Sequence, residues 1–539
     1  MCGILGIVTR DSRDNLGEIN ISALKNRGPD GSGSYVDGGV GLYHARLAVV
    51  DKNIMAKQPI ISPSGSLVLI CNGEVYNYRE IKKVYNYDYQ TTSDCEVILA
   101  CYKADGLRGF SKLKGMFSFA IYDKGEKKVI IYRDAVGKKP LFYYEQKERF
   151  IFSSSVSAIK DNISAALRID KDALLYYLKE GYVRPDISFY EGIIPVLPGE
   201  LIEINISSIT KTVQRVVPES TAYDSFNYTH EDIMDESRRL LTKSLEARLY
   251  NVSMPVLLFS GGIDSTLLAK KISAITKKKI ACVSLRPFLP YTYDEPYGRF
   301  AVKKLGLNFI PVKLEKRGLI ENIEQAIYLL DQPLSLYAYY LLTYLTRKAR
   351  EFGNILFLGD GGDEVFYGYS NIRDWFADNE QDIPASPYEV GPSPKPKLSA
   401  WGQRQMTVDM LGHSFVKVDK AASEQQMEAR CPYLDWDLMH FIRSIPSDYF
   451  IKSNTTKIIL KEMLEEFPGW FINRKKIGFE FNFRYLMFPS YRYIFNEIDF
   501  NMTGSLEAET RKRRFSYKMM FDNFDYFWKR YILTKFLKH

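Results

Sequence analysis

From about His230 onward the chain changes its hydrophobic period, and that change constrains the fold more than any other feature. Short apolar runs, VLLFSGG, KKIACVSL, NFIPVKL and NILFLGDGG, alternate with long amphipathic stretches such as EDIMDESRRLLTKSLEARL. Short runs of this kind read as strands buried on both faces, and the helices between them supply the crossovers of a parallel sheet. Such a sheet gathers its ligands at the carboxyl ends of its strands. Before about Tyr190 the pattern is different. MCGILGIV, GGVGLYHARLAVV, SLVLICNGEVYN, MFSFAIYDK, KVIIYRDAVG, PLFYYEQ and RFIFSSS are β-rich and separated by turn formers. One helical stretch lies among them, SDCEVILACYKADG, with Ser93 as its expected cap. The reading is an α+β domain of packed sheets at 1–205, a polar linker at 206–228 and an α/β parallel-sheet domain at 229–539. NEQDIPASPYEVGPSPKPKLSAW, rich in Pro and Ser, reads as a loop within the second domain.

Composition excludes several function classes. The net charge of +8 comes from 73 basic and 65 acidic residues, an excess too small to argue for nucleic acid. RKRR at Arg511 to Arg514 reads as a solvated helix face. No apolar run approaches the roughly 20 residues that span a bilayer. TRDSRD directly after Val8 does not fit a secretory leader. None of the six cysteines forms a CxxC pair, and Cys71, Cys95, Cys101 and Cys282 sit among apolar neighbours as small core residues. A cytoplasmic protein in a reducing compartment, with no membrane partner, is the expectation.

Three stretches carry chemistry. Cys2 stands directly behind the initiator Met1. If Met1 is removed, one residue holds both a thiol and a free α-amine, a nucleophile with its own base. SGGIDS, Ser260 to Ser265, lies between an apolar run and a helix, where backbone N–H groups and the helix dipole cradle an anion. It lacks the GxxxxGK[ST] spacing of a Walker A loop. Asp264 beside such a cradle suits a Mg²⁺ bridging phosphate oxygens. NILFLGDGGDEVFYGY places Asp360, Asp363 and Glu364 beside Gly359, Gly361 and Gly362, and a shared metal would offset the repulsion, with Asp363 and Asp264 as its pair. In the first domain, HARLAVVD puts Arg46 on a strand, suited to clamp a carboxylate. NGEVYN puts Asn72 and Gly73 in a tight turn facing a developing oxyanion, and Glu74 and Asp94 could hold an ammonium.

MCGI, RGPD, HxRL, the QP of Gln58 and Pro59, NGEVYN, SDCE and RDAVGKKPL occur in the order of class II glutamine amidotransferase domains. SGGIDS, GDGGDE, MEARCPYLD, the lysine of TTKIILKEM and RKKIGF occur in the order of the asparagine synthetase module. The chain therefore resembles glutamine-hydrolysing asparagine synthetases over nearly its whole length. The resemblance implies an Ntn-hydrolase-like αββα sandwich followed by a PP-loop domain of the adenine nucleotide α-hydrolase type. It implies that Cys2 attacks the glutamine amide, that Asn72 and Gly73 form the oxyanion hole, and that Arg46, Leu47, Val50, Asn72, Gly73, Glu74 and Asp94 bind glutamine. It implies ATP bound by Leu258, Ser260, Gly261, Gly262, Asp264, Ser265, Ser284, Leu358 and Gly359, with Mg²⁺ on Asp264 and Asp363. Asp360 takes the acidic position linked to intermediate formation, and Lys457 that of a lysine stabilising adenylation. Glu428, Arg430 and Asp435 match a motif read as mainly structural. Aspartate is the implied acceptor, ammonia is passed internally between domains, and a homodimer is a family expectation.

The chain departs from the family pattern at Asn26 (usually His), Ser155 (usually an acid), Gln332 (usually an acid) and Leu358 (usually Ser). The Asn26 departure does not touch the nucleophile, and those at Leu358 and Gln332 favour, as the rival, the same chemistry on another carboxylate such as a sugar acid or biosynthetic intermediate. A ring-closing cyclase would not need the glutamine set. A non-catalytic scaffold would not need Cys2, Asp264, Asp363 and Lys457. A plain glutaminase would hydrolyse glutamine regardless of ATP.

Overall fold

The computed structural model describes the chain except for 11–15, 50–55, 222, 224–227, 278, 287–293, 316, 370–404, 447–448, 451–454, 475–482, 500–515 and 539. Val50, the Pro- and Ser-rich segment up to position 401, RKRR and most of RKKIGF lie outside the described residues or largely so.

Two six-stranded antiparallel sheets build the first domain. One runs, edge to edge, Ile193–Pro195, Phe142–Gln146, Arg149–Ser153, Gly3–Thr9, Val40–Arg46 and Gly31–Asp37. The other runs Thr210–Arg215, Glu200–Asn205, Lys128–Arg133, Gly115–Asp123, Leu67–Val75 and Ile60–Ile61. Alternation along each strand decides what each face meets. Ile4, Val8, Val40 and Leu42 from the first sheet pack on Val68, Ile70, Ala120, Ile131 and Ile202 from the second. The opposite face of the second sheet, with Leu69, Cys71, Phe117 and Phe119, takes Val97, Ile98 and Cys101 of helix Val97–Asp105. The opposite face of the first, with Leu5, Ile7 and Ile151, takes Val156, Ile159, Ala173 and Tyr177. The result is the αββα sandwich.

Three local readings are corrected. Thr210–Arg215 pairs along its whole length with Glu200–Asn205, so the segment expected as linker begins with a strand. Its sequence, TKTVQR, is polar because most of it faces water, which is why it read as linker. Asn72 and Gly73 lie inside strand Leu67–Val75, opposite Ser118 and Phe117, and not in a turn. Ser93 is not the helix cap: the helix starts at Val97, and the Ser93 hydroxyl accepts from the Cys95 N–H, 3.2 Å away, in the turn before it.

The second domain holds one five-stranded parallel sheet, ordered Asn308–Lys313, Ala281–Arg286, Val256–Leu258, Ile355–Phe357 and Glu428–Arg430. Helix His230–Leu249 leads into it through a reciprocal cap, Asp232 N–H to the Thr229 hydroxyl and Thr229 N–H to the Asp232 carboxylate. All six cysteines are free. Among the described residues no helix is long and apolar enough to cross a membrane.

Buried charge joins the two domains. Arg27 grips Asp419 with both terminal nitrogens, 2.6 and 3.2 Å away. Lys139 meets Glu428 at 2.5 Å. Asp331 accepts from the Ser155 hydroxyl at 2.6 Å, from Ser157 N–H at 3.1 Å and from Lys420. The departure at Ser155 thus has a physical reason: an acid there would face the buried Asp331 carboxylate. Gln332 Oε1 accepts from Phe189 N–H at 2.7 Å, so this departure also lies in the domain seam. Burial opposes charge on Asp419, but Arg27 and Lys139 outweigh it and hold its carboxyl at about 2. Its folded value lies below the unfolded one, so its contribution is fully present above about pH 4 and lost as pH falls toward 2. Asp419→Ala leaves Arg27 buried without its counter-ion. A loss of about 3–5 kcal/mol is expected, read as a large drop in thermal midpoint at neutral pH.

Candidate active sites

The first site opens where the chain begins its central strand. Cys2 precedes Gly3–Thr9, and its sulfur lies 3.4 Å from the Leu47 N–H donor and 3.7 Å from the Leu47 carbonyl. Arg27 Nε donates to the Cys2 carbonyl at 3.0 Å. The pocket around the thiol is lined by Arg46, Leu47, Gly73, Glu74 and Asp94, with Gln58 at its wall. Five expected glutamine-binding residues are thus brought together with Cys2. Gln58 had no expected role beyond its motif. Its Oε1 accepts from Cys71 N–H at 2.5 Å and fixes the strand one residue before Asn72.

Asn72 is fully buried, and among the described residues neither its amide nitrogen nor its amide oxygen has a partner. A buried polar group without a partner costs about 1–3 kcal/mol. Such a cost is what a donor waiting for a substrate oxygen carries. Next to it, Gly73 has φ +141°, and a Cβ there would lie 2.0 Å from the Met116 carbonyl oxygen. Only glycine fits.

Electrostatics divide the two acids of this pocket. Glu74 is held by both Arg430 Nε, at 2.9 Å, and Arg430 Nη2. Asp94 accepts from Val75 N–H, at 2.8 Å, and from its own backbone, while burial followed by the neighbouring Glu74 raises it to about 7. The folded chain therefore keeps this proton longer than the unfolded one, and stability contributed by the protonated form is lost as pH rises from about 4 through 7. An ammonium held here, the role the resemblance implies for Asp94, needs the ionised form. On that role the KM for glutamine is expected to fall several-fold as pH rises through about 7, and Asp94→Asn to flatten that profile while raising KM. Burial also pushes the Cys2 thiol up to about 11, so it needs a base beside it to react at neutral pH.

The second site lies at the carboxyl ends of two neighbouring central strands. Strand Val256–Leu258 runs into Phe259–Gly262 and helix Ile263–Thr276. Gly262 caps this helix without any side-chain bond, which leaves its first-turn N–H groups facing the loop. Gly261 has φ +73°, and a Cβ there would meet Gly298 N at 2.5 Å. Ser260 and Ser265 hydroxyls are 3.2 Å apart and close the cradle. Strand Ile355–Phe357 pairs in parallel beside Val256–Leu258 and delivers Leu358, Gly359 and Asp360 to the same end. A Cβ at Gly359 would lie 3.3 Å from Asp264 Cβ, so the two loops nearly touch. Ser284 sits buried on the other neighbouring strand.

Asp264 and Asp363 converge on one cation. Lys457 Nζ is 2.6 Å from each Asp264 oxygen and 2.7 Å from Asp363 Oδ1. Lys457 is buried and has φ +55°, a left-handed conformation that costs a non-glycine residue about 1 kcal/mol or more. Glu364 is used differently: it accepts from Tyr369 OH at 2.6 Å and from Gly361 N–H at 3.1 Å, capping its own short helix. Two hard carboxylates around a cationic position fit Mg²⁺, which takes one or two carboxylates and completes its shell with phosphates and water. Among the described residues no third His, Cys, Asp or Glu joins them.

A thiol pocket with an unpartnered amide, in one chain with a glycine-rich strand–helix loop and an acid pair, fits a two-site carbon–nitrogen ligase. Residues 1–215 match the glutamine amidotransferase domain family, and 236–411 together with 392–519 match the asparagine synthase family. The chain is 30% identical over 397 residues to a putative glutamine-hydrolysing asparagine synthetase 2 of Methanocaldococcus jannaschii, covering 68% of this chain and 76% of that protein. It is 26% identical over 551 residues to asparagine synthetase B of Escherichia coli, covering 96% and 88%. It is also 26% identical over 416 residues to Amidase chry2 of Gibberella zeae, covering 69% and 60%. The chain belongs to the glutamine-hydrolysing asparagine synthetase family.

Proposed function

We propose that this chain amidates aspartate to asparagine, releasing AMP and pyrophosphate, with the nitrogen drawn from glutamine. The observation that carries this reading is the convergence of Asp264, Asp363 and Lys457 at the mouth of a phosphate cradle. With Met1 removed, the Cys2 amine takes the thiol proton as sulfur attacks the glutamine amide carbon. The amide of Asn72 and the backbone at Gly73 receive the oxyanion, ammonia leaves, and water frees glutamate. Arg46 holds the glutamine carboxylate; Asp94 and Glu74 hold its ammonium. Leu47 lines the pocket beside the thiol.

In the second domain Ser260, Gly261, Gly262 and Ser265 hold the pyrophosphate end of ATP. Leu258, Ser284, Leu358 and Gly359 border the nucleoside. The aspartate side-chain carboxylate attacks the α-phosphorus, and the P–O bond to pyrophosphate breaks, giving a β-aspartyl-adenylate. Asp264 and Asp363 would hold Mg²⁺, which supplies charge neutralisation at the phosphates when bound. Lys457 stabilises charge on the α-phosphate, and Asp360 takes the acidic position linked to formation of the intermediate. Ammonia passing through the buried seam, a division of function near residues 205–230, and a homodimer belong to the same proposal.

A second acceptor, a sugar acid or a biosynthetic intermediate, is favoured by Leu358, whose buried apolar side chain stands where the family carries serine. AMP release with glutamine, ATP and Mg²⁺ across a panel of carboxylates separates the two. Aspartate alone driving release supports asparagine formation. Another acid driving it with aspartate inert keeps the mechanism and changes the product.

A further inference from the structure

The guanidinium of Arg430 grips Glu74 of the thiol pocket's lining, although Arg430 belongs to the synthetase domain and stands 356 residues from that partner. It is buried, as is Glu74. Nε and Nη2 hold the two Glu74 oxygens, and Nη1 donates to the Arg248 carbonyl, so the guanidinium is fixed from two sides. The main chain of the same residue faces the other site. Arg430 pairs with Phe357, and its carbonyl accepts from Leu358 N–H at 3.1 Å, directly before Gly359 and Asp360 of the nucleotide loop. One residue thus anchors an acid of the first site through its side chain and the loop of the second through its backbone.

We infer that Arg430 is a positioning residue for glutamine: it fixes both oxygens of the Glu74 carboxylate and aims them at the substrate ammonium, and it ties that hold to the placement of the nucleotide loop. The physical need is local. Glu74, Asp94 and Glu428 line one pocket with Arg46 as a cation at its wall, so three acids crowd there and a further cation held directly on Glu74 relieves their repulsion. Burial and then Glu74 raise Asp94 while the Arg430 cation lowers it, so without Arg430 Asp94 keeps its proton to higher pH and the pocket offers an ammonium less charge. The inference rests on the first site being the glutamine site.

The test compares the full-length chain with Arg430→Met and Arg430→Lys. Glutamine hydrolysis is followed across pH 6 to 9, with and without ATP and the active carboxylate, beside AMP release driven by ammonium. Arg430→Met is expected to raise the glutamine KM about 10- to 100-fold with a smaller change in kcat, and to move the inflection of the KM profile upward. Arg430→Lys restores most of the affinity, because a cation returns. Nucleotide and acceptor lower the glutamine KM of the wild-type chain and not of Arg430→Met. An unchanged KM and pH profile in Arg430→Met overturns the inference. So does a parallel loss of ammonium-driven AMP release that lysine does not repair, since that marks a structural role. If the wild-type chain hydrolyses no glutamine, the proposed function fails first, and the inference falls with it.

Discussion

Cys2→Ala is expected to abolish glutamine-driven AMP release while ammonium-driven release continues near the wild-type rate. Removing a nucleophile that works as one unit with its base costs about 10⁴- to 10⁶-fold in the step it carries. The side chain occupies the mouth of its strand, touches the Leu47 backbone and supports no core of its own, so the loss is chemical and not structural. The nucleotide loops lie on a separate sheet and keep their geometry. The check is a pair of rate measurements on one preparation, glutamate formation and AMP formation, each with glutamine and with ammonium chloride. A Cys2→Ala chain that still hydrolyses glutamine would place the nucleophile elsewhere.

Lys457→Met is expected to do the reverse. AMP formation should fall about 10²- to 10³-fold with either nitrogen donor, the scale for losing one preorganised electrostatic group at the reacting phosphate. Glutamine hydrolysis should persist. The magnitude follows from the geometry: the ammonium is buried, bonded to both Asp264 oxygens and to Asp363, and held on a left-handed backbone. Losing it also leaves two carboxylates facing each other, so Mg²⁺ should protect the variant against thermal unfolding more than it protects the wild-type chain. Retention of full AMP formation would reduce Lys457 to a counter-ion.

Much of this was legible before any coordinates. Strand–helix alternation after His230 gave the parallel sheet, and SGGIDS and GDGGDE fell at its carboxyl ends because such loops follow buried strands. Cys2, Arg46, Asp94 and Asp264 announced themselves by residue type in turn- or strand-like surroundings. The rest depended on long-range placement. Glu428–Arg430 is a strand of three residues, too short to show any period, and its partner acid is 356 residues away. Reading it as mainly structural missed the guanidinium beside Glu74. Asn72 and Gly73 looked like a turn because NG is a common turn dipeptide, yet Gly73 is needed in a strand that approaches the Met116 carbonyl. Ser155 and Gln332 looked like departures that bear on the acceptor. Both make bonds across the domain seam, which leaves Leu358 as the departure at the nucleotide site.

The most direct measurement incubates the full-length chain with ATP, Mg²⁺, aspartate and glutamine labelled with ¹⁵N in its amide, in the presence of unlabelled ammonium. The expected result is AMP and asparagine formed in equal amounts, with the ¹⁵N of the hydrolysed glutamine recovered in asparagine and not diluted into the free ammonium. Glutamine hydrolysed at the same rate without ATP, and no AMP formed with any carboxylate, would contradict it and leave a glutaminase.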